Sequence, residues 1–256
     1  FSVLLPGISN LTNRLRYYGF YCWLLDLYYK SEPKISQQDQ YRFIRRAELL
    51  IAILMQSEHK EVMQITGSDF AAAWVYERNF RIYDLKEGAD KDRGNDVLYW
   101  KHPSGAFGQY YFGAMQALSL VTRYENQEED SVFNITHPHP RQKVSGQELA
   151  DAFGERISKK VKDIFYTSVK TGKLAATDIR ELARYFTIHK VNPQSKEWEL
   201  YVEMLLDKDY PAQEIEEEFS FHRSNSIRAL LANAAKNKKE YNWPAYHLQC
   251  YGQKLS

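Results

Sequence analysis

Side chains able to do chemistry are plentiful in this 256-residue chain, but few stand at the spacing a reaction needs. His137 and His139 flank Pro138 and offer two imidazoles two residues apart. A zinc ion takes three or four ligands in fixed geometry, and no Cys-x-x-Cys or His-Glu-x-x-His accompanies the pair. The prolines make this segment a stiff connector instead. Ser104-Gly105-Ala106-Phe107-Gly108 places two glycines ahead of a helix, yet no lysine follows to hold a phosphate, so it reads as the start of a helix. Asp92, Asp96 and Lys101 are the groups from which a metal-dependent nuclease would be assembled. They sit in or near a loop, without the alternating apolar strand of such a core. His59, His102, His189, His222 and His247 are scattered, and none occupies a nucleophile setting such as Gly-x-Ser-x-Gly. The chain reads as carrying no catalytic residue, no metal and no cofactor.

Charge points to binding rather than catalysis. The formal net charge is only +1. From Arg141 to Lys173, however, eight basic residues face four acids, and from Glu197 to Glu218 nine acids face Lys208 alone. Arg156, Lys159, Lys160 and Lys170 are spaced to lie near one face of a helix, and Lys162 and Lys173 extend the patch. Such a face can neutralise nucleic-acid phosphates, dock an acidic protein or simply face water, and the sequence leaves all three open. Arg14 and Arg16, two residues apart on an aromatic helix, face different sides of it. A structural clamp and a phosphate contact are both consistent with them.

The elements that must position these groups are helices. A Pro6-Gly7 turn opens into a helix that Ser9 or Asn10 can cap, expected to run to about Lys30. Leu11, Leu15, Tyr18, Cys22, Leu25 and Tyr29 form one stripe, yet Tyr17, Phe20, Tyr21, Trp23 and Leu24 lie off it. A helix apolar on most sides is buried on most sides, so this one is the expected central strut. A second helix follows Ser36 to about Gln56, with Phe43, Ile44, Ala47, Leu50, Ile51 and Leu54 inward. Arg42, Arg45, Arg46 and Glu48 are expected on its outer side. Ser68 caps a short helix, and Lys86 to Asn95, with Gly88 and Gly94, reads as an exposed loop.

A helix from Gln109 to Leu120 is followed by short strands at Val121–Tyr124 and Val132–Ile135 around a charged turn, Asn126 to Asp130. That layout fits the wing of a winged-helix module, and equally a plain hairpin. Ser145 to Glu148 is a capping box. One helix is expected through Leu149, Phe153, Ile157, Val161, Ile164 and Phe165, ending near Gly172. Further helices are expected after Thr177, Ser195 and Ser226, with an aromatic one from Trp243. The fold class is mainly α, a multi-helix domain with a small β-hairpin. Three segments are expected: an aromatic helical domain (1–104), a helix plus hairpin (105–143) and a helical C-terminal region (144–256). The start at Phe1 and the stop at Ser256 suggest a trimmed chain. No run of 18 apolar residues or signal peptide is seen, and Cys22 and Cys250 read as buried free thiols, so a cytoplasmic protein without a membrane span is expected.

One family resemblance adds to this. Pro6-Gly7-x-Ser9-x-x-Thr12-x-Arg14-x-Arg16-Tyr17-Tyr18-x-Phe20-x-x-Trp23 is similar to the opening of uncharacterised bacterial proteins found in phage-defence gene neighbourhoods. In these, a Phe-Pro-Gly turn leads into a Thr-x-Arg-x-Arg-Tyr-aromatic helix with a tryptophan. Tyr99-Trp100 to Leu120 resembles their second shared block, a helix ending in a Leu-Gly-Leu-like turn, here Leu118-Ser119-Leu120. The likeness covers about 50 residues well. It implies a defence context and a mainly helical subunit, and it supplies no catalytic residues. Together with the aromatic content, the polarised charge and the missing catalytic motif, it leads to the expectation of a non-catalytic subunit that bridges or regulates an ATPase or nuclease partner. Contact with double-stranded DNA through the Arg156–Lys173 surface is compatible with that role. A self-standing winged-helix DNA-binding protein and a metal-dependent nuclease are the alternatives.

Overall fold

Tyr17, Tyr18, Phe20, Tyr21, Cys22, Trp23, Leu24, Leu25 and Tyr28 are all buried, so α1 (Arg16–Ser31) is enclosed around its circumference. The structure, a computed structural model, describes residues 12, 14–59, 65–77, 80–90, 97–125, 131–140 and 142–205. Pro6, Gly7, Ser9, Asn10, Asp92, Asp96, the Asn126–Asp130 turn, the Glu214–Glu218 run, Cys250 and the helices expected after Ser226 and Trp243 lie outside them. The architecture is mainly α with two short antiparallel strand pairs among the described residues. Buried residues from Leu15 to Met204, drawn from all three expected segments, form one continuous cluster.

α1 begins later than its apolar stripe suggests, with Leu15 at its N-cap and no side-chain cap. α2 (Gln37–Glu58) starts where the sequence indicates, the Ser36 hydroxyl accepting from the Asp39 amide. It is buried almost continuously from Phe43 to Met55, on the side expected to face water as well. α3 (Ser68–Glu77) packs on it.

The segment from Lys86 is not an exposed loop in its described part. β1 (Ile82–Asp84) runs straight into α4 (Leu85–Ala89), whose Lys86 amide is capped by the Asp84 carboxylate. Gly88 is buried because it must be small. A Cβ there would stand 2.5 Å from the Phe70 ring and 2.8 Å from Leu49. Glycine therefore marks a close approach here, not a turn.

The helix expected from Gln109 starts earlier and is not uniform. A π-helical turn, Phe107–Tyr111, precedes α5 (Phe112–Ala117). The wider turn lets Phe107 and Tyr111, four residues apart, both meet the Tyr21 ring, at 4.9 and 5.1 Å. Single π-turns of this kind cost hydrogen-bond geometry and persist where a tertiary contact needs them. Ser119 then stands at φ +56°, a left-handed position that glycine takes more easily.

β2 (Val121–Glu125) and β3 (Ser131–Ile135) pair antiparallel, Val121 opposite Ile135 and Glu125 opposite Ser131. The hairpin does not stand away from the body as a wing. Gln40 of α2 donates to the Phe133 carbonyl at 2.7 Å and accepts from its amide at 2.8 Å, in effect extending the strand's ladder. The exposed positions of the preceding helix are Gln109, Gly113, Gln116 and Ala117.

Ser145 and Glu148 form both arms of their capping box at the start of α6 (Gly146–Gly154). The single helix expected from Leu149 to Phe165 is two. α6 stops at Gly154, and Ser158 caps α7 (Lys159–Thr171) by accepting from the Val161 amide. Gly154 lies against Trp23, where a Cβ would be 2.9 Å from the indole. Gly172, at φ +71°, ends α7. β4 (Lys173–Ala175) pairs antiparallel with β1. α8 (Ala176–Ala183) and α9 (Lys196–Leu205) follow, Ser195 accepting from the Trp198 amide. No described helix is long and apolar enough to cross a membrane.

Candidate functional site

Two groups expected on the outer side of α2 are inside the protein. Glu48 is fully buried, and its carboxylate accepts four hydrogen bonds. The Tyr21 hydroxyl donates at 2.8 Å, the Tyr99 hydroxyl at 2.5 Å, and the Ala106 and Phe107 amides at 3.0 and 2.8 Å. The two amides are the first free donors of the π-turn, so Glu48 caps that helix from another helix. Gly105, at φ +70°, lets the carboxylate approach, since a Cβ would be 2.3 Å from Oε2. Burial pushes the Glu48 carboxyl above its ordinary range, and the four donors oppose that rise. Tyr21, Tyr99 and Tyr111 are raised well above the phenol range, chiefly by burial and next by the Glu48 charge or a neighbouring tyrosine.

Arg45 is also buried. It donates to the carbonyls of Ala89, Trp100 and His102, and its guanidinium lies 5.2 Å over the Tyr99 ring. Arg46 forms a two-pronged pair with Asp90, at 2.8 and 2.5 Å. It also donates to the Val169 and Lys170 carbonyls in the last turn of α7. A cation there meets carbonyls that lack helical partners. These groups have internal partners that fix the segments Ala89, Trp100–His102 and α7 against α2, which is a structural arrangement.

The described residues of the N-terminal signature are placed in the same way. Thr12 is buried, and its carbonyl accepts from the Tyr18 hydroxyl. The Tyr17 hydroxyl accepts from the Thr66 amide, and burial pushes the phenol up to about 12. Trp23 packs on Phe153, Phe165 and Phe186. Arg16 donates to Glu197 of α9 at 3.1 Å, to the Thr187 carbonyl and hydroxyl and to the Tyr185 carbonyl, and stacks 5.0 Å over Phe153. Glu197 also accepts from Tyr201 at 2.9 Å. Its pKa is raised by burial, against the pull of Arg16. Arg14 is half-buried, within electrostatic reach of Tyr17, Tyr111 and His189. Burial raises the Cys22 thiol well above its ordinary pKa, leaving it a packing group rather than a nucleophile.

The basic set is dispersed more than its spacing suggests. Arg156 lies in the connection between α6 and α7, not on α7, and is exposed. Lys159 opens α7 and is exposed, while Lys162 is half-buried. Lys160 holds both Glu181 oxygens at 3.2 Å, and Lys170 is paired with Glu32. Lys173 is exposed at the start of β4.

His102 and Ser104 form a pair that the scattered-histidine reading missed, the Ser104 Oγ standing 3.2 Å from His102 Nδ1. Ser104 is fully buried, and its own amide also points to Nδ1 at 3.4 Å. A closed two-residue turn with an inaccessible hydroxyl is a structural feature rather than a nucleophile. His137 and His139 are exposed, and no group of three or more metal-type ligands occurs among the described residues. Compared with protein-family models, with curated proteins and with solved structures, the chain finds no match.

Proposed function

We propose that this chain is a non-catalytic helical subunit of a bacterial anti-phage defence complex, bridging or regulating an ATPase or nuclease partner. The observation that carries the reading is a division of charge. Glu48, Arg45, Arg46 and Arg16 are held by internal partners, whereas Arg156, Lys159 and Lys173 are exposed around α7. The resemblance of the Pro6–Trp23 signature supplies the defence context.

A protein partner suits this surface better than duplex DNA. Glu32, Glu155, Asp163 and Glu181 lie among the six cations, and two of the six are already paired. The local excess is small for counterion-driven binding to a polyanion. It suits a complementary acidic patch, where charge sets orientation and on-rate.

Affinity purification from the native host tests this. The expected result is stoichiometric elution with the product of an adjacent gene. Elution of the chain alone, at monomer mass, contradicts it. Tight, steeply salt-dependent binding to duplex DNA without a protein partner would favour the DNA-binding alternative instead.

A further inference from the structure

The two strands of the β2–β3 hairpin differ at their outer edges. In an antiparallel pair, alternate residues turn their backbone N–H and C=O toward the partner strand, and the residues between them turn theirs away. The Thr136 amide donates to the Leu120 carbonyl at 3.0 Å, which fixes the phase. Thr122 and Tyr124 therefore bond β3, while Val121, Arg123 and Glu125 turn outward. On β3 the outward residues are Ser131, Phe133 and Ile135. α2 covers the first two: Gln37 donates to the Ser131 carbonyl at 2.9 Å, and Gln40 brackets Phe133.

The edge of β2 has no such cover. No described residue bonds the outward N–H or C=O of Arg123. Arg123 and Tyr124 are exposed, whereas Val121 is buried and marks where the open stretch begins. The pairing runs from Val121 to Glu125 without a bulge, and no proline interrupts it. A regular, exposed edge is a template for a further strand.

We propose that this edge pairs with the same edge of a second copy, giving a two-fold dimer whose sheet continues across the axis in the order β3–β2–β2–β3. The residues of the strand select this occupant. In a two-fold antiparallel pairing centred on Tyr124, Arg123 of each copy stands opposite Glu125 of the other. These are the outward residues, so each such pair exchanges both of its backbone hydrogen bonds and brings opposite charges together. The Arg123 guanidinium is held by its stack 5.7 Å over the Phe133 ring and by the bond from its Nε to the Ser131 hydroxyl, which leaves both terminal nitrogens without a partner among the described residues. Tyr124 meets its own copy in a non-hydrogen-bonded pair, where side chains come closest and aromatic pairs are stabilising. The contact uses neither the α7 surface nor the partner assignment.

Sedimentation of the full chain over roughly 1–100 μM tests it. The expected result is a reversible monomer–dimer equilibrium that stops at the dimer, because a two-fold contact is closed. Arg123→Glu puts like charges opposite each other and should weaken the dimer by about tenfold. Glu125→Arg, which leaves the Arg123 contacts in place, should weaken it equally. Arg123→Glu/Glu125→Arg restores opposite charges in exchanged positions and should recover the dimer to within about threefold of wild type. Damage to the hairpin alone would not be repaired by a second substitution. A chain that stays monomeric throughout overturns the proposal and leaves the edge to a strand of another protein. A dimer indifferent to both single substitutions, or one that the double substitution fails to restore, overturns it as well.

Discussion

Glu48→Gln changes one atom of the carboxylate and separates a structural anchor from a neutral spacer. Oε1 receives the Tyr21 hydroxyl and the Phe107 amide, and Oε2 the Tyr99 hydroxyl and the Ala106 amide. A glutamine must turn its NH₂ toward one of these pairs. The tyrosine hydroxyl can rotate and accept, but the backbone N–H cannot. One buried amide therefore loses its acceptor and faces another donor. A buried unsatisfied donor costs about 1–3 kcal/mol, and the remaining bonds lose their charge assistance, about 1 kcal/mol more. Relief of the buried charge, whose pKa burial raises, offsets part of this. The expected net loss is about 2 kcal/mol, a large share of the stability of a typical domain. Urea unfolding followed by tryptophan fluorescence measures it, with Tyr99→Phe expected to cost about 1.5–2 kcal/mol as the single-bond control. A loss below about 1 kcal/mol for Glu48→Gln would refute the anchoring role.

Gly19→Ala is expected to destabilise by about 2 kcal/mol through overpacking, because its Cβ would lie 2.4 Å from the Tyr201 hydroxyl, which Glu197 holds in place. Gly113→Ala, with nothing within 4 Å, should instead raise the melting temperature. Arg46→Lys should lower stability by about 2 kcal/mol despite keeping the charge, since one ammonium cannot serve both Asp90 oxygens and the α7 carbonyls. Denaturant titration of Gly19→Ala and Arg46→Lys checks these values, and a thermal melt checks Gly113→Ala. His189 has a folded pKa lowered from 6.5 to about 4, so the unfolded chain takes up its proton first. The stability this group contributes is complete above about pH 6.5 and is lost as pH falls toward 4. His189→Asn should flatten the stability–pH profile across that window in thermal melts.

Local signals with a local cause were legible in the residues. Ser36, the Ser145–Glu148 box, Gly172 and Ser195 each act within a few residues of themselves, and each marks a helix end in the structure. The aromatic crowding of α1 foretold burial on all sides for the same reason. Arg45 and Glu48 misled because their neighbours in α2 form an ordinary apolar stripe. What buries them is Tyr99 and the π-turn, about fifty residues away, which helical periodicity does not register. The break between α6 and α7 was hidden because Ile157 and Val161 stay in phase across it. Gly88 reads as loop punctuation but is a contact point for Phe70. The His59–His189 pair joins segments 130 residues apart, so no spacing rule finds it.

In the proposed complex the signature helix builds the fold while the α7 surface meets the partner. Arg156→Glu/Lys159→Glu/Lys173→Glu, expressed in place of the wild-type chain in its native locus, tests that claim with two readouts from one preparation. The prediction is an unchanged melting temperature together with loss of the co-eluting neighbour-gene product. Retention of that product by a folded triple variant would contradict it.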